Sequence, residues 1–375
     1  MAARWHSYLG PAFVLVFGLS QAFVCRIPAV AATFPAMERT MANRWRFYLG
    51  PALVLVFCLS QAFRDVYFGH VFQGVDFFAV ILLAFLASTI LFTAIPLVRD
   101  RGSFKKLRGH GRTVLMMNLT TALAWSCYFF ALSHLEPSIV NTMHSGMGPL
   151  TVVALAALGV RLAKSGHIGW PEYFGYTGIA LSLVALAWVV LSGRSGLGLG
   201  LAGSETAALL GLAALLVSGA SITVSLLYCK RLHDHGVNAE VVTSVRYGLL
   251  ILIAAAVVWH KGRLQGIDSI GEAATLTALA TVLIVLPLYA FQVGIALTTP
   301  LTANVLRALG PVFVFALQQV DGRLSTSAPT LIGILAYSAA AILSNVAHAR
   351  SETERGASKS FSPHHQPLRP AARRS

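Results

Sequence analysis

From residue 47 onward the chain alternates long apolar runs with short polar breaks. The runs cover approximately 47–63, 75–98, 113–133, 137–160, 172–192, 206–229, 239–259, 274–298, 301–320 and 329–348. At roughly 1.5 Å per helical residue, segments of this length cross a hydrocarbon core about 30 Å thick. The pattern predicts an all-α integral membrane protein with about ten transmembrane helices.

Two adjacent runs, Asn118–Val160, are not uniformly apolar. Asn118, Thr121, Trp125 and Tyr128 recur every three or four residues in the first arm. Asn141, His144 or Ser145, and Gly148 do the same in the second. An unpaired polar group in hydrocarbon is costly, so both stripes are expected to face other helices or a cavity. The arms meet at a corner, Ser133–Ser138, short enough for a hairpin.

The hairpin recurs near the other end. Gly294–Val320 aligns without gaps on Leu132–Leu158 when Gly310-Pro311 is set on Gly148-Pro149, an offset of 310 − 148 = 162 residues. Identities are few, but the order is shared: a polar corner, a polar helical turn, Gly-Pro, then an apolar run. Five runs in each half force the halves to cross in opposite directions, so the expected architecture is two inverted five-helix repeats. The first repeat spans 41–194 and the second 205–349. A Gly-rich linker, 195–204, joins them, and a polar, basic tail, 350–375, lacks the apolar content to fold and is expected to be disordered in the cytoplasm.

Residues 1–40 have a separate origin. Met1–Phe23 repeats as Met41–Phe63 with five mismatches. A signal peptide is one reading, with Pro11–Cys25 as its apolar core and Ala29-Val30-Ala31 as its cleavage site. Arg26 and the copying of a genuine span count against it, so the segment is read as a dispensable tandem duplication with Met41 as the functional start.

Composition agrees with the pattern: 56% of residues are hydrophobic, 11% are charged and the mean hydropathy is +0.70. Soluble domains carry about a quarter charged residues. The net charge of +14 does not signal nucleic acid, because the basic residues lie in loops and the tail and not on an aromatic-studded face. One set of loops holds Arg99, Arg101, Lys105, Lys106, Arg108, Arg112, Arg161, Lys164, Lys230 and Arg231, followed by the basic tail. The other set holds only Arg64, Arg194, Lys261, Arg263 and Arg323. The excess marks the cytoplasmic side, giving N-in and C-in from Met41. Cys25, Cys58, Cys127 and Cys229 lie in or beside apolar runs without metal-ligand spacing and read as small buried hydrophobes.

With Ala131–Leu150, Val293–Val312 and Val245–Ile251 as the matching stretches, the chain from Met41 to His348 resembles the drug/metabolite transporter superfamily, in its EamA-like branch. It departs where the fourth span ends, as Ala157–His167, without the Glu that such proteins often carry there. The resemblance implies a permease of the bacterial inner (plasma) membrane that moves small metabolites by alternating access through a central cavity between the repeats.

The residues that could line such a cavity are Asn118, Trp125, Tyr128, Asn141, His144, Tyr289, Gln292, Asn304 and Arg307. Arg307 lies about seven residues, or ~10 Å, inside the cytoplasmic end of its span. An arginine at that depth is a site by default, the competing reading being a side chain that reaches back to the headgroups. His144 is titratable and could carry a proton, or could be a hydrogen-bonded interface residue. Arg246 beside Tyr247 reads as a structural contact, and Ser218, Ser221 and Ser225 as close helix packing.

No Walker lysine, HExxH, GxSxG or paired intramembrane carboxylate is present, so no enzyme, cofactor or metal site is expected. His233-Asp234-His235 reads as a solvated loop. No Asp or Glu is expected deep in a span, which leaves the Arg246 and Arg307 pair to favour an anionic or zwitterionic small-molecule substrate. The leading reading is a secondary transporter in contact with the lipid bilayer, and a homodimer is compatible with the sequence. A non-transporting membrane sensor or scaffold on the same fold is the alternative.

Overall fold

The computed structural model describes residues 38–99, 101–160, 169–197 and 204–360; the rest, including the repeated N-terminal segment and the end of the tail, lie outside the described residues. The first six apolar runs become α1 (Glu38–Val71), α2 (Phe77–Arg99), α3 (Gly111–Leu132), α4 (Pro137–Ala157), α5 (Trp170–Leu191) and α6 (Glu205–Asp234). The seventh run is α7 (Ala239–Arg246) with α8 (Gly248–Lys261). The eighth is α9 (Ile270–Ala280) and α10 (Leu286–Leu297), joined by a π-helical turn, Thr281–Val285. The ninth is α11 (Pro300–Ala308) with α12 (Gly310–Asp321), and the tenth is α13 (Ala328–Ser360).

Among the described residues, nine stretches are long and apolar enough to cross a membrane. The helix α4 is not one of them, because Asn141, Thr142, His144 and Ser145 thin its hydropathy. It nevertheless packs inside the bundle, between α6, α12 and α5. Asn141 and His144 are met by side chains of neighbouring helices and Thr142 by the Ser138 carbonyl of its own, which is how such a segment is tolerated in hydrocarbon. The helix α13 runs on to Ser360, past Arg350, where the sequence suggested a disordered tail.

Helix ends follow local chemistry. Pro137 and Pro300 open α4 and α11 at positions where a missing N–H costs nothing. Ser204, Ser269 and Thr299 accept from the N–H groups of Ala207, Glu272 and Thr302. Gly262 and Gly322 end α8 and α12 with φ of 71° and 69°.

Packing pairs α3 with α6, α1 with α10, α5 with α13, and α2 with α7 and α8. It also sets α4 on α12 and α6, and α1 on α11 and α12. Two contacts need glycine. A Cβ on Gly175 would lie 2.5 Å from the Ser344 Cβ, and one on Gly219 would lie 2.7 Å from the His144 carbonyl oxygen. The α5–α13 and α4–α6 backbones therefore approach as small-residue membrane interfaces do.

The α1–α2, α3–α4, α5–α6, α8–α9 and α12–α13 connections gather at one end of the bundle. There Lys261 pairs with Asp76, and the Ser325 hydroxyl donates to the Gly196 carbonyl at 2.9 Å. The α2–α3 and α6–α7 connections meet at the opposite end, where Lys106 donates to the Gly236 carbonyl at 3.0 Å.

The two Gly-Pro motifs behave differently. Gly148-Pro149 is carried inside an unbroken α4, whereas Gly310-Pro311 parts α11 from α12 at Leu309. Beside the break, Ser338 donates to the Ala308 carbonyl at 2.8 Å. Pro287 has no N–H and crowds the carbonyl four residues back, which accounts for the π turn before α10.

Candidate functional site

Two adjacent buried charges belong to α1. The sequence placed Arg64 in a loop after a span ending at residue 63, but the helix continues to Val71 and carries Arg64 and Asp65 into the core. Arg64 is 5% exposed and Asp65 0%. The expectation that no acidic residue lies deep in a span therefore fails at Asp65. Two adjacent charges ended the apolar run in the sequence; folded, each partly cancels the other.

The pair is fully engaged. Arg64 donates to Asp65 Oδ1 from Nε at 2.8 Å and from Nη2 at 2.7 Å. Nη2 also donates to the Tyr128 hydroxyl at 3.1 Å. The second carboxylate oxygen accepts from Asn141 Nδ2 at 2.7 Å. The Arg64 guanidinium carbon lies 5.4 Å from the Trp125 ring centroid and 5.2 Å from that of Tyr128, so the charge is also held over two π faces. Three of the sequence candidates, Trp125, Tyr128 and Asn141, thus converge on a charged pair that sequence reasoning missed. The Trp125 indole N–H is buried without a hydrogen-bond partner.

His144 adjoins this group. Its ring meets Tyr128 edge-on at 4.7 Å. The Ser218 hydroxyl donates to the Ala124 carbonyl at 2.7 Å and lies 3.0 Å from His144 Nδ1. That hydroxyl has one hydrogen, so it accepts from His144, which puts the imidazole proton on Nδ1 and leaves Nε2 as an acceptor. Arg307 lies on α11, in the ninth run. Its guanidinium carbon lies 5.3 Å from the Phe291 ring centroid, and both Arg307 and Asn304 are exposed.

The other candidates fall elsewhere. Asn118 is used by the backbone. Its Nδ2 donates to Val114 at 3.0 Å and Val245 at 2.8 Å, and its Oδ1 accepts from the Leu249 N–H at 3.1 Å. It thereby satisfies groups freed where the seventh run breaks at Tyr247, so its amide is committed to holding that break. Arg246 Nε donates to Thr121 at 3.1 Å, and Thr121 lies 2.6 Å from the Ser225 hydroxyl. These are structural contacts. The side chains of Tyr289 and Gln292 lie outside the described residues. Among the described residues no group of three His, Cys, Asp or Glu could hold a metal ion.

No family model and no curated protein matches the chain. Fourteen solved chains are similar to it in structure. One, described only as "Crystal structure of protein", has a TM-score of 0.51 and 18% identity, covering 81% of this chain and 99% of its own. At that identity the likeness speaks for the helical fold alone.

Proposed function

We propose that the protein is a secondary transporter moving a small organic metabolite across the membrane by alternating access, as its resemblance to EamA-like drug/metabolite transporters implies. The observation that carries this reading is the Arg64–Asp65 pair held by Tyr128 and Asn141 inside a bundle of apolar helices. Charges are expensive within a membrane and, when retained there, mark solute or ion pathways.

Helix packing supports the inverted-repeat architecture. Advancing each of the ten runs by five converts the third-on-sixth pairing into the eighth-on-first. The second-on-seventh, fourth-on-ninth and fifth-on-tenth pairings convert into themselves. Repeats related by a two-fold axis in the membrane plane require this exchange, and their carriers bind solute near the midplane between the halves.

The proposed orientation is N-in and C-in, from the Lys and Arg asymmetry of the loops. The Arg64–Asp65 pair is close to neutral overall, whereas Arg307 has Phe291 beside it and no acidic partner among the described ion pairs. Arg307 is therefore the proposed anchor for an anionic or zwitterionic solute. The test is solute flux in proteoliposomes containing the purified protein, using a panel of anionic, zwitterionic and cationic metabolites. Arg307→Gln removes a charge-assisted hydrogen bond and should weaken apparent affinity about ten- to hundredfold. Arg307→Lys should recover part of it, because the charge survives without the fork geometry. Absence of flux for every class would favour a membrane sensor or scaffold.

A further inference from the structure

Glu136 sits at the α3–α4 corner and is 1% exposed. A carboxylate so buried normally has a cation beside it, and this one has none among the described ion pairs. Neutral donors surround it instead. Oε1 accepts from Gln318 Nε2 at 2.5 Å and from the Ser138 hydroxyl at 2.8 Å. Oε2 accepts from the Gly196 N–H at 2.7 Å; the Thr330 hydroxyl lies 3.5 Å away and gives its hydrogen to Ser327 at 2.9 Å, the Ser327 hydrogen going to the Arg194 carbonyl.

The donors come from separate parts of the fold. Ser138 opens α4 in the first half, and Gly196 belongs to the connection between the halves. Gln318 lies on α12, in the second half. The Gln318 carbonyl oxygen also accepts from the Ser138 N–H at 3.3 Å. One carboxylate thus closes the Glu136 end of the bundle by joining both halves and their connector.

Among the described residues, the opposite end has no counterpart. Shifting by the 162-residue offset of the two hairpins puts Thr298 at the place of Glu136 (136 + 162 = 298) and Ala156 at the place of Gln318 (318 − 162 = 156). Alanine has no side-chain donor. On that half of its run, α11 leaves Asn304 and Arg307 exposed, whereas Glu136, Ser138, Gln318 and Thr330 are buried. The two ends are chemically unequal.

We propose that Glu136 is the latch that holds its end of the carrier shut, fixing the resting state as closed on the outer side and accessible from the cytoplasm. The inference rests on the alternating-access reading. Opening the outer side requires the Gln318 and Gly196 donors to leave the carboxylate, since they belong to the second half and to the connector, outside the corner that carries Glu136. A carboxylate without a cation depends wholly on such donors, so the closed state is sensitive to each.

The test measures opening without needing a substrate. Spin labels on His134→Cys and Thr326→Cys, in full-length protein with Cys25, Cys58, Cys127 and Cys229 replaced by Ala, report the separation of the α3–α4 corner from the α12–α13 connection. The parent should give one short distance. Glu136→Gln should add a longer population, with the closed-to-open ratio falling about ten- to hundredfold. Gln318→Leu should act in the same direction. So should Gly196→Ala, whose new Cβ would lie 2.6 Å from the Ser325 carbonyl oxygen and prise the same seam. If Glu136→Gln does not yield folded protein, the other two variants decide by the same readout. A single short distance in the folded variants overturns the latch. Because the distances are read without flux, a failed latch remains distinguishable from a failed transport assignment.

Discussion

The Arg64–Asp65 pair makes a prediction opposite in sign to simple contact counting. Asp65→Asn keeps the shape of the side chain and an acceptor oxygen but removes its charge, leaving the guanidinium buried with no counter-charge, beside neutral partners only: that amide oxygen, the Tyr128 hydroxyl and two aromatic faces. Breaking a buried ion pair by removing one partner costs about 3–5 kcal/mol, mostly through the charge left uncompensated. Asp65 is fully buried and both its oxygens are occupied, so the upper part of that range applies. The fall in apparent midpoint of thermal unfolding should be on the order of 5–15 °C. Arg64→Met alone strands the Asp65 carboxylate and should cost a similar amount. The double variant Arg64→Met/Asp65→Leu removes more native contacts than either single one, yet strands no charge. What it leaves is one unpaired Asn141 amide and one unpaired Tyr128 hydroxyl, each worth about 1–3 kcal/mol. It should therefore be more stable than either single variant while losing transport. The assay is thermal unfolding in one detergent at one heating rate, with flux measured alongside. A double variant whose loss equals the sum of the two single losses would refute the reasoning, because it would mean that the charges do not compensate each other.

Three further outcomes follow from other contacts. Asn118→Leu unpairs the Val245 carbonyl and the Leu249 N–H and should cost about 1–3 kcal/mol for each buried group, against almost nothing for Thr120→Val, whose hydroxyl bonds only to its own helix; unfolding midpoints check it. Gly175→Val should part α5 from α13 and lower the yield of folded protein, whereas Gly74→Ala, with open space around it, should be silent in the same solubilisation assay. A reporter fused after Ser375 should be active on the cytoplasmic face; activity confined to the outer face would reverse the proposed orientation.

The sequence showed where helices lie more plainly than where they break. Apolar runs set the helix positions because burial in hydrocarbon needs length and little else. The α1 boundary was misread because Arg64 and Asp65 look like an exit from the membrane when charge is counted one residue at a time. Their compensation comes from each other and from Tyr128 and Asn141, 63 to 76 positions further on (128 − 65 = 63; 141 − 65 = 76), and no local pattern records it. Glu136 was hidden for the same reason: in sequence it is a polar corner residue, and its distant donors come from Gly196 and Gln318. The polar stripe singled out Trp125, Tyr128, Asn141 and His144, which in the fold pack around Arg64 and Asp65. It could not separate them from Asn118, because an amide that holds a helix break and one that faces a cavity obey the same spacing. The break at Leu309 was foreshadowed by Gly310-Pro311, while the identical pair at Gly148-Pro149 left its helix continuous.

That difference alters how the two hairpins can bear load. An unbroken α4 acts as a beam, so a displacement at one end appears at the other. The ninth run is two links joined at Leu309. Its α12 link is tied through Gln318 to Glu136, and the residue ending its α11 link is held by Ser338. The link bearing Arg307 can therefore change its tilt while the far link stays seated. A force applied to the α11 link would be taken up at that joint before it reached α12.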